Sequence, residues 1–188
     1  MPNWCYNNVR IMGSKNDIDN IIKKYTELIR KEVVLCSEKI IPYPRDYLLK
    51  RAFFINNNDD DNKMKEIERL NVTEKEHKQI LLWKLNNEKE IVEEIENFWY
   101  DWNRLNWGSK WGICNCSDCN IVKMKHDKLS IQWNFETAWS CATPFVEQIS
   151  KDYPNVKIYY SADEESRTFK FESVWKNGQE VRFKDLLK

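Results

Sequence analysis

Three cysteines lie close together in the second half of the chain, in the spacing C-x-C-x-x-C: Cys114, Cys116 and Cys119. Thiolates this close can share one soft metal ion, and zinc usually takes four ligands. The alternative is a purely structural role as small, half-apolar side chains on a strand or hairpin loop, because zinc sites more often combine two separated cysteine pairs. A zinc site and a structural role therefore both stay open. The fourth zinc ligand would be Cys5, Cys141, His126 or Asp118.

Four tryptophans lie within 13 residues just before these cysteines: Trp99, Trp102, Trp107 and Trp111. Trp107 and Trp111 surround a turn at Gly108, and aromatic rings exposed at such a turn stack on nucleic-acid bases or sugars. Lys110 or Arg104 would add a cation to that platform. The alternative is a place in the core, which the helical spacing of Trp99 and Trp102 favours.

Hydroxyl side chains precede a predicted helix at Thr137, Ser140 and Thr143. Backbone N–H groups at a helix start can bind an anion, and neighbouring hydroxyls would assist. The same hydroxyls are also ordinary capping groups, which is the interpretation we prefer.

Cys141 lies at the same helix start, where a thiol can have a lowered pKa and act as a nucleophile. A histidine would have to activate it, and the chain offers His77 and His126. The sequence contains no local nucleophile motif, no P-loop, no dinucleotide-binding glycine motif and no H-E-x-x-H. A cysteine- or metal-dependent enzyme is therefore the last of three functional hypotheses.

The spacing of apolar residues predicts the elements that position these groups. Ser14 is a predicted N-cap, followed by an apolar stripe at helical spacing that runs from Ile18 to Ile29. Thr73 and Glu76 form a predicted capping box. A further helix is predicted to follow Thr143 as its cap. The predicted strands are residues 4–12, 33–41, 120–125, 129–136, 156–160 and 168–172, with a final hairpin in 174–183.

These elements predict an α+β fold. Residues 1–44 and 107–188 are expected to form a ferredoxin-like split βαβ domain with an antiparallel sheet. Residues 45–106 are expected to form a mostly helical insertion.

Composition sets broad limits on function. The 188 residues carry 30 Lys+Arg and 30 Asp+Glu, and this zero net charge argues against phosphate binding over a broad surface. Nine tryptophans supply ample material for a core, and no apolar run is long enough for a membrane span. A secretory signal is not visible, so we expect a cytoplasmic protein with reduced thiols.

Three segments resemble the YubB-type ferredoxin-like proteins of phages, prophages and plasmids. These segments are residues 1–7, 107–111 and 135–140, together with Pro144. The resemblance implies a ferredoxin-like fold and no established activity. The cysteine cluster and the longer turn at Cys141 depart from the family pattern.

Seven residues of these motifs are candidate binding residues, whose alternative role is to hold the fold together: Trp4, Asn7, Trp107, Lys110, Trp111, Thr137 and Trp139. The leading hypothesis is a non-catalytic binding protein of a mobile genetic element. Its partner would be a host protein, with inhibition of a defence system such as a CRISPR nuclease as one outcome. The second hypothesis is a single-stranded nucleic-acid binder that uses Trp107, Trp111 and Lys110 with Lys123 and Lys125.

Overall fold

The computed structural model describes residues 3–54, 60–85, 88–125 and 128–188. The chain divides into two compact units. The first unit comprises Met1–Pro42 and Trp102–Lys188, and the second comprises Tyr43–Asp101. None of the helices in the described ranges has the length and apolar content needed to cross a bilayer.

The fold is α+β. The strands are β1 (Trp4–Ser14), β2 (Thr26–Ile29), β3 (Glu32–Leu35), β4 (Asn120–Lys123), β5 (Lys128–Ala138), β6 (Lys157–Glu164), β7 (Lys170–Lys176) and β8 (Gln179–Asp185). The helices are α1 (Lys15–Tyr25), α2 (Ser37–Ile40), α3 (Arg45–Phe54), α4 (Asp60–Leu70), α5 (Glu74–Leu85), α6 (Glu88–Asn106) and α7 (Thr143–Asp152).

Six strands of the first unit form an antiparallel sheet in the order β4-β5-β1-β6-β7-β8. The central strand β1 pairs with β5 along its whole length, from Trp4 opposite Ala138 to Ser14 opposite Lys128. It pairs with β6 on its other side. β1 therefore separates β5 from β6, the two strands that α7 connects.

The two faces of this sheet differ in polarity because side chains alternate along each strand. On one face, Val9 and Ile11 of β1 are buried together with Ile18 of α1 and Phe145 of α7. The other face, which we call the open face, carries polar and charged side chains such as Arg10. The core thus lies on the helical side of the sheet.

The first helix is shorter than the apolar spacing predicts. Ser14 caps it as expected, its hydroxyl accepting from the Asp17 N–H at 3.1 Å, but the helix ends at Tyr25. Residues 26–29 form β2 instead, and Leu28 is 73% exposed. The helical prediction for Leu28 and Ile29 was wrong because two exposed apolar residues matched the helical period by coincidence.

The predicted strand over residues 33–41 is also wrong beyond Leu35. β3 ends at Leu35, and the short helix α2 occupies Ser37–Ile40. β2 and β3 pair with each other in a separate two-stranded sheet. Local apolar content did not distinguish a short strand from the helical turn that follows it.

Two turn predictions have different outcomes. Asn177 and Gly178 have positive φ angles of 51° and 71° and join β7 to β8, as the hairpin prediction requires. Thr143 is the first residue of α7 rather than its cap, and Ala142 occupies the cap position without a side-chain hydrogen bond. The Thr143 hydroxyl lies 3.3 Å from the Cys141 thiol instead.

The second unit contains α3, α4, α5 and most of α6. The predicted capping box at the start of α5 is confirmed, because Glu76 accepts from the Thr73 N–H at 2.8 Å and Thr73 accepts from the Glu76 N–H at 3.3 Å. Arg45 also donates to both Glu76 carboxylate oxygens. Inside this unit, the Tyr47 and Phe98 rings stack with centroids 4.7 Å apart.

Candidate binding site

A buried amide at Asn7 connects β1 to β5, β6 and the turn before α7. Asn7 is 3% exposed, and its Nδ2 donates to the Cys5 carbonyl at 2.8 Å and to Thr137 Oγ1 at 2.9 Å. Its Oδ1 accepts from the Tyr160 hydroxyl at 2.7 Å and from the Ala142 N–H at 3.1 Å. Burial raises the pKa of Tyr160, so the phenol remains a donor at neutral pH.

The turn after β5 is hydrogen-bonded to Asn3 and Gly108, which belong to the other two segments that resemble YubB-type proteins. The Thr137 hydroxyl donates to the Ser140 carbonyl at 2.6 Å, and the Ser140 hydroxyl donates to the Gly108 carbonyl. The Trp139 N–H donates to the Asn3 carbonyl at 2.8 Å. These bonds bring residues 3–7, 107–112 and 137–142 together at one end of β1.

Trp107 is a core residue. It is 4% exposed, and its Nε1 donates to the Ile41 carbonyl at 2.8 Å. Its ring meets Trp102 edge-on at 5.5 Å and lies 6.0 Å from Phe145. Burial therefore removes Trp107 from direct contact with a partner.

Asn7 and Thr137 are buried as well. Like the indole N–H of Trp107, their polar groups form hydrogen bonds inside the protein. The interpretation of these three residues as contact residues does not fit their burial. Their positions fit the alternative role, which is to hold the fold together.

Trp4, Lys110 and Trp111 form an aromatic and cationic cluster, which we call the tryptophan cluster. The two indole rings have centroids 6.0 Å apart, and Lys110 Nζ lies 4.9 Å from the Trp111 ring centroid. Trp111 is 41% exposed, and Trp139, on the neighbouring turn, is 54% exposed. Four of the seven candidate residues therefore remain accessible in whole or in part.

Gly112 fixes the chain direction just after this cluster. Its φ of +73° is a left-handed conformation that a side chain would strain. A Cβ at this position would lie 2.5 Å from Ser37 Oγ and 2.9 Å from the Trp107 ring. Ser37 Oγ already accepts from the Ile113 N–H at 2.8 Å. The tight turn therefore places Trp111 outside while Trp107 stays inside.

The three clustered cysteines are not arranged as a metal centre. Within the described ranges, no group of three or more His, Cys, Asp or Glu side chains could hold a metal ion. Burial raises the pKa of Cys116 to about 11 and also raises the pKa of Cys114 and Cys119. His126 lies outside the described residues. The zinc hypothesis thus has no geometric support among the residues that are described.

The nucleophile hypothesis for Cys141 requires an activating histidine, which the described part of the first unit does not supply. The described part of the first unit contains no histidine, since His77 belongs to the second unit and His126 is not described. Nearby Cys5 is fully buried, and its burial raises its pKa to about 12. Such a thiol is protonated at neutral pH and is a weak nucleophile.

The lysines of the nucleic-acid hypothesis lie far from the tryptophan cluster. Lys123 is opposite Leu129, which in turn is opposite Gly13 at the far end of β1 from Trp4. At the usual rise per residue in a strand, Gly13 and Trp4 are about 30 Å apart. Lys123 and Lys125 therefore do not extend the surface around Trp111.

A groove on the open face was not predicted from the sequence. It consists of two depressions with volumes of about 410 and 280 Å³, and both are lined by Asn8, Ser161 and Glu172. The polar residues of β1 at alternate positions, such as Asn8 and Arg10, were a visible signal of this face. The sequence did not show which strands lie beside β1, and those neighbouring strands supply the rest of the groove.

Comparison with known proteins bears on the fold alone. No protein-family model matches the chain, and no curated protein matches it. The crystal structure of protein api92 from Yersinia pseudotuberculosis, of the family DUF1281, superposes with a TM-score of 0.52. The two chains are 9% identical, and the alignment covers 98% of each. This chain is therefore similar to api92 in fold, over nearly its whole length.

Proposed function

We propose that this chain is a non-catalytic binding protein that contacts a partner protein through its tryptophan cluster. The observation that carries the proposal is the partly exposed Trp111 ring, packed against Trp4 and under Lys110. Tryptophan is enriched among the residues that dominate binding energy at protein interfaces. A surface tryptophan held by neighbouring rings loses little conformational freedom when it binds.

The surroundings of the cluster support a rigid contact surface. Trp4 belongs to the central strand, and Trp111 precedes the tight turn at Gly112. Trp139 lies on a turn whose backbone is bonded to Asn3. A surface built on such elements needs little rearrangement to accept a partner.

We also propose that the sheet and helices of the first unit form a ferredoxin-like domain. β5 and β6 lie on either side of β1 and are connected by α7, which is one split βαβ unit. β4 and β1 likewise lie on either side of β5. The hairpin of β7 and β8 would then be an addition at one edge of the sheet.

The biological setting of the proposal follows from the resemblance to YubB-type proteins. In that setting the chain acts in the cytoplasm of a bacterial host of a mobile genetic element. Its partner is a host protein, and inhibition of a defence system such as a CRISPR nuclease is the effect to examine first.

The proposal is tested by comparing partner capture by matched variants. Immobilised wild type, Trp111→Ala and Trp139→Ala are exposed to host lysate, and the captured proteins are identified by mass spectrometry. Phe183→Ala is the control, because Phe183 is an aromatic residue that is 55% exposed on the edge strand β8. We expect a partner that wild type and Phe183→Ala retain and that Trp111→Ala loses.

Affinity for the purified partner gives the decisive measurement. We expect Trp111→Ala to weaken binding by at least about tenfold, which is roughly 1.4 kcal/mol. Equal affinity of wild type and Trp111→Ala would refute the proposal. So would an equal loss in Phe183→Ala, since that result would point to non-specific apolar adhesion.

A further inference from the structure

The open face aligns side chains from four strands in two rows, most of them polar. The first row contains Arg10, Tyr159, Val174 and Arg182. The second row contains Asn8, Ser161, Glu172 and Lys184. On the other side of β1, Gln132 of β5 continues the first row and Asn134 continues the second. Neighbouring strands are about 4.8 Å apart, so long side chains of both rows can reach one ligand.

The smaller depression, of about 280 Å³, is lined by three cations and one acid: Arg10, Arg182, Lys184 and Glu172. Within the described ranges, neither Arg182 nor Lys184 takes part in an ion pair. The Arg10 guanidinium lies 4.7 Å from the Tyr159 ring centroid, and Lys157 Nζ lies 4.8 Å from the same centroid. This end of the groove therefore carries an excess of positive charge beside an aromatic ring.

The larger depression, of about 410 Å³, has a different character. Its one lysine, Lys170, is paired with Asp163 at 2.7 Å, and Glu136 adds a negative charge. The Asn8 and Asn134 amides form a 2.6 Å hydrogen bond on its floor. Tyr6 lines this end and is 50% exposed. This end offers amides and an aromatic ring to a neutral polar group.

We propose that the groove binds a nucleotide, with the phosphate at Arg10, Arg182 and Lys184 and the sugar and base toward Tyr6 and the amides. Arginine donates paired N–H groups that match phosphate oxygens. Amide side chains donate to and accept from base edges, and an exposed tyrosine supplies a stacking face. Each depression is of the order of small-molecule sites, which begin at about 300 Å³.

Charge favours one nucleotide over a long strand. A strand running along the whole groove would place further phosphates beside Asp163 and Glu136, and like charges repel. A single phosphate at the cationic end avoids that repulsion. The ligand is therefore a nucleotide that carries a terminal phosphate, either free or at the end of a strand.

The test is isothermal titration calorimetry at low ionic strength with the four ribonucleoside monophosphates. The wild type is compared with Arg182→Gln and Lys184→Gln, which lie on the exposed edge strand β8. Lys176→Gln is the matched control, because it removes the same charge from a neighbouring strand and does not line the groove. We expect saturable binding of at least one nucleotide, weakened about tenfold or more by Arg182→Gln and unchanged in Lys176→Gln.

Parallel titrations identify the ligand more closely. The corresponding nucleoside and inorganic phosphate are each expected to bind at least about tenfold more weakly than the nucleotide, because each fills one end of the groove. A 5′-phosphorylated oligonucleotide that binds more tightly than the mononucleotide would assign the site to strand ends. One that binds no more tightly would assign it to free nucleotides.

Three results would overturn the inference. They are no saturable binding of any nucleotide, equal affinity for phosphate alone, and equal weakening in Lys176→Gln. Circular dichroism of each variant establishes that the fold is retained. None of the substituted residues belongs to the tryptophan cluster, so this inference and the proposed partner binding fail or hold separately.

Discussion

At the scale of single residues, Asn7 connects more parts of the first unit than any one strand pairing does. Its amide bonds to β1 itself, to Thr137 of β5, to Tyr160 of β6 and to the backbone of Ala142. A buried donor or acceptor left without a partner costs about 1–3 kcal/mol. The cost of losing Asn7 therefore exceeds that of losing one hydrogen bond.

Asn7→Ala should lower the free energy of unfolding by about 2–4 kcal/mol, because it leaves several buried polar groups unsatisfied. The neighbouring Asn8→Ala is the control: its amide bonds to Asn134 at the surface, and we expect a change within about 0.5 kcal/mol. Urea denaturation followed by tryptophan fluorescence measures both values. Similar losses in the two variants would contradict the role given to Asn7.

Helices and strands differ in how far local sequence determined them. Ser14 and Asp17 specified the start of α1, and Thr73 with Glu76 specified the start of α5, because capping involves residues only three positions apart. The β2–β3 hairpin was not predicted. Its turn residues, Arg30 and Lys31, have positive φ angles of 50° and 74° and are not the residue types that announce such a turn.

The candidate site shows the same limit. The three motif segments were recognisable as segments, and their convergence depends on β5 lying beside β1. Burial then separates Trp107 from Trp111, four residues away, through the turn at Gly112. The open-face groove draws on β6, β7 and β8, so its rows are fixed by strand order and register. Neither quantity is encoded in local spacing.

At the element scale, the start of α5 should be sensitive to acid. Hydrogen bonds from Arg45 and Thr73 hold the pKa of Glu76 at about 2, below its usual 4.5. A carboxylate with a lowered pKa stabilises the fold fully above its usual pKa and loses that contribution as pH falls toward about 2. Glu76→Gln should therefore lower the Tm at neutral pH, and the difference from wild type should shrink below about pH 4.5.

Thermal denaturation at several pH values measures this difference. Glu74→Gln is the control, since Glu74 pairs with Lys78 where both side chains are more than two thirds exposed. We expect its effect on the Tm to be the smaller of the two. A Tm difference between wild type and Glu76→Gln that stays constant down to about pH 2 would show that the carboxylate charge plays no part.

At the scale of the whole molecule, the chain leaves the first unit and returns to it at two points that lie close together. The chain leaves this unit after Pro42 and returns at Trp102. Trp107 bonds to the Ile41 carbonyl at 2.8 Å and packs 5.5 Å from the Trp102 ring. The exit and return points are therefore neighbours, and a short connection can join them.

Replacing Tyr43–Asp101 with a short Gly/Ser linker should leave a first unit that folds, because closing a short loop costs little. Cooperative thermal unfolding and a dispersed amide NMR spectrum are the expected results. The same replacement combined with Trp107→Ala should cost about 3–5 kcal/mol more, since a buried indole is removed. A collapsed, non-cooperative product from the linker variant alone would contradict the independence of this unit.

The central position of β1 has a consequence for the newly made protein. This strand is synthesised well before its two neighbours, β5 and β6, which begin at residues 128 and 157. A ribosome must therefore translate the whole intervening stretch before the middle of the sheet can close. Until then the strand has unpaired backbone edges and exposed apolar side chains, the features that chaperones recognise and that lead to aggregation. Contacts so distant along the chain also slow folding, so the release of β6 from the ribosome sets the earliest time at which this sheet becomes stable.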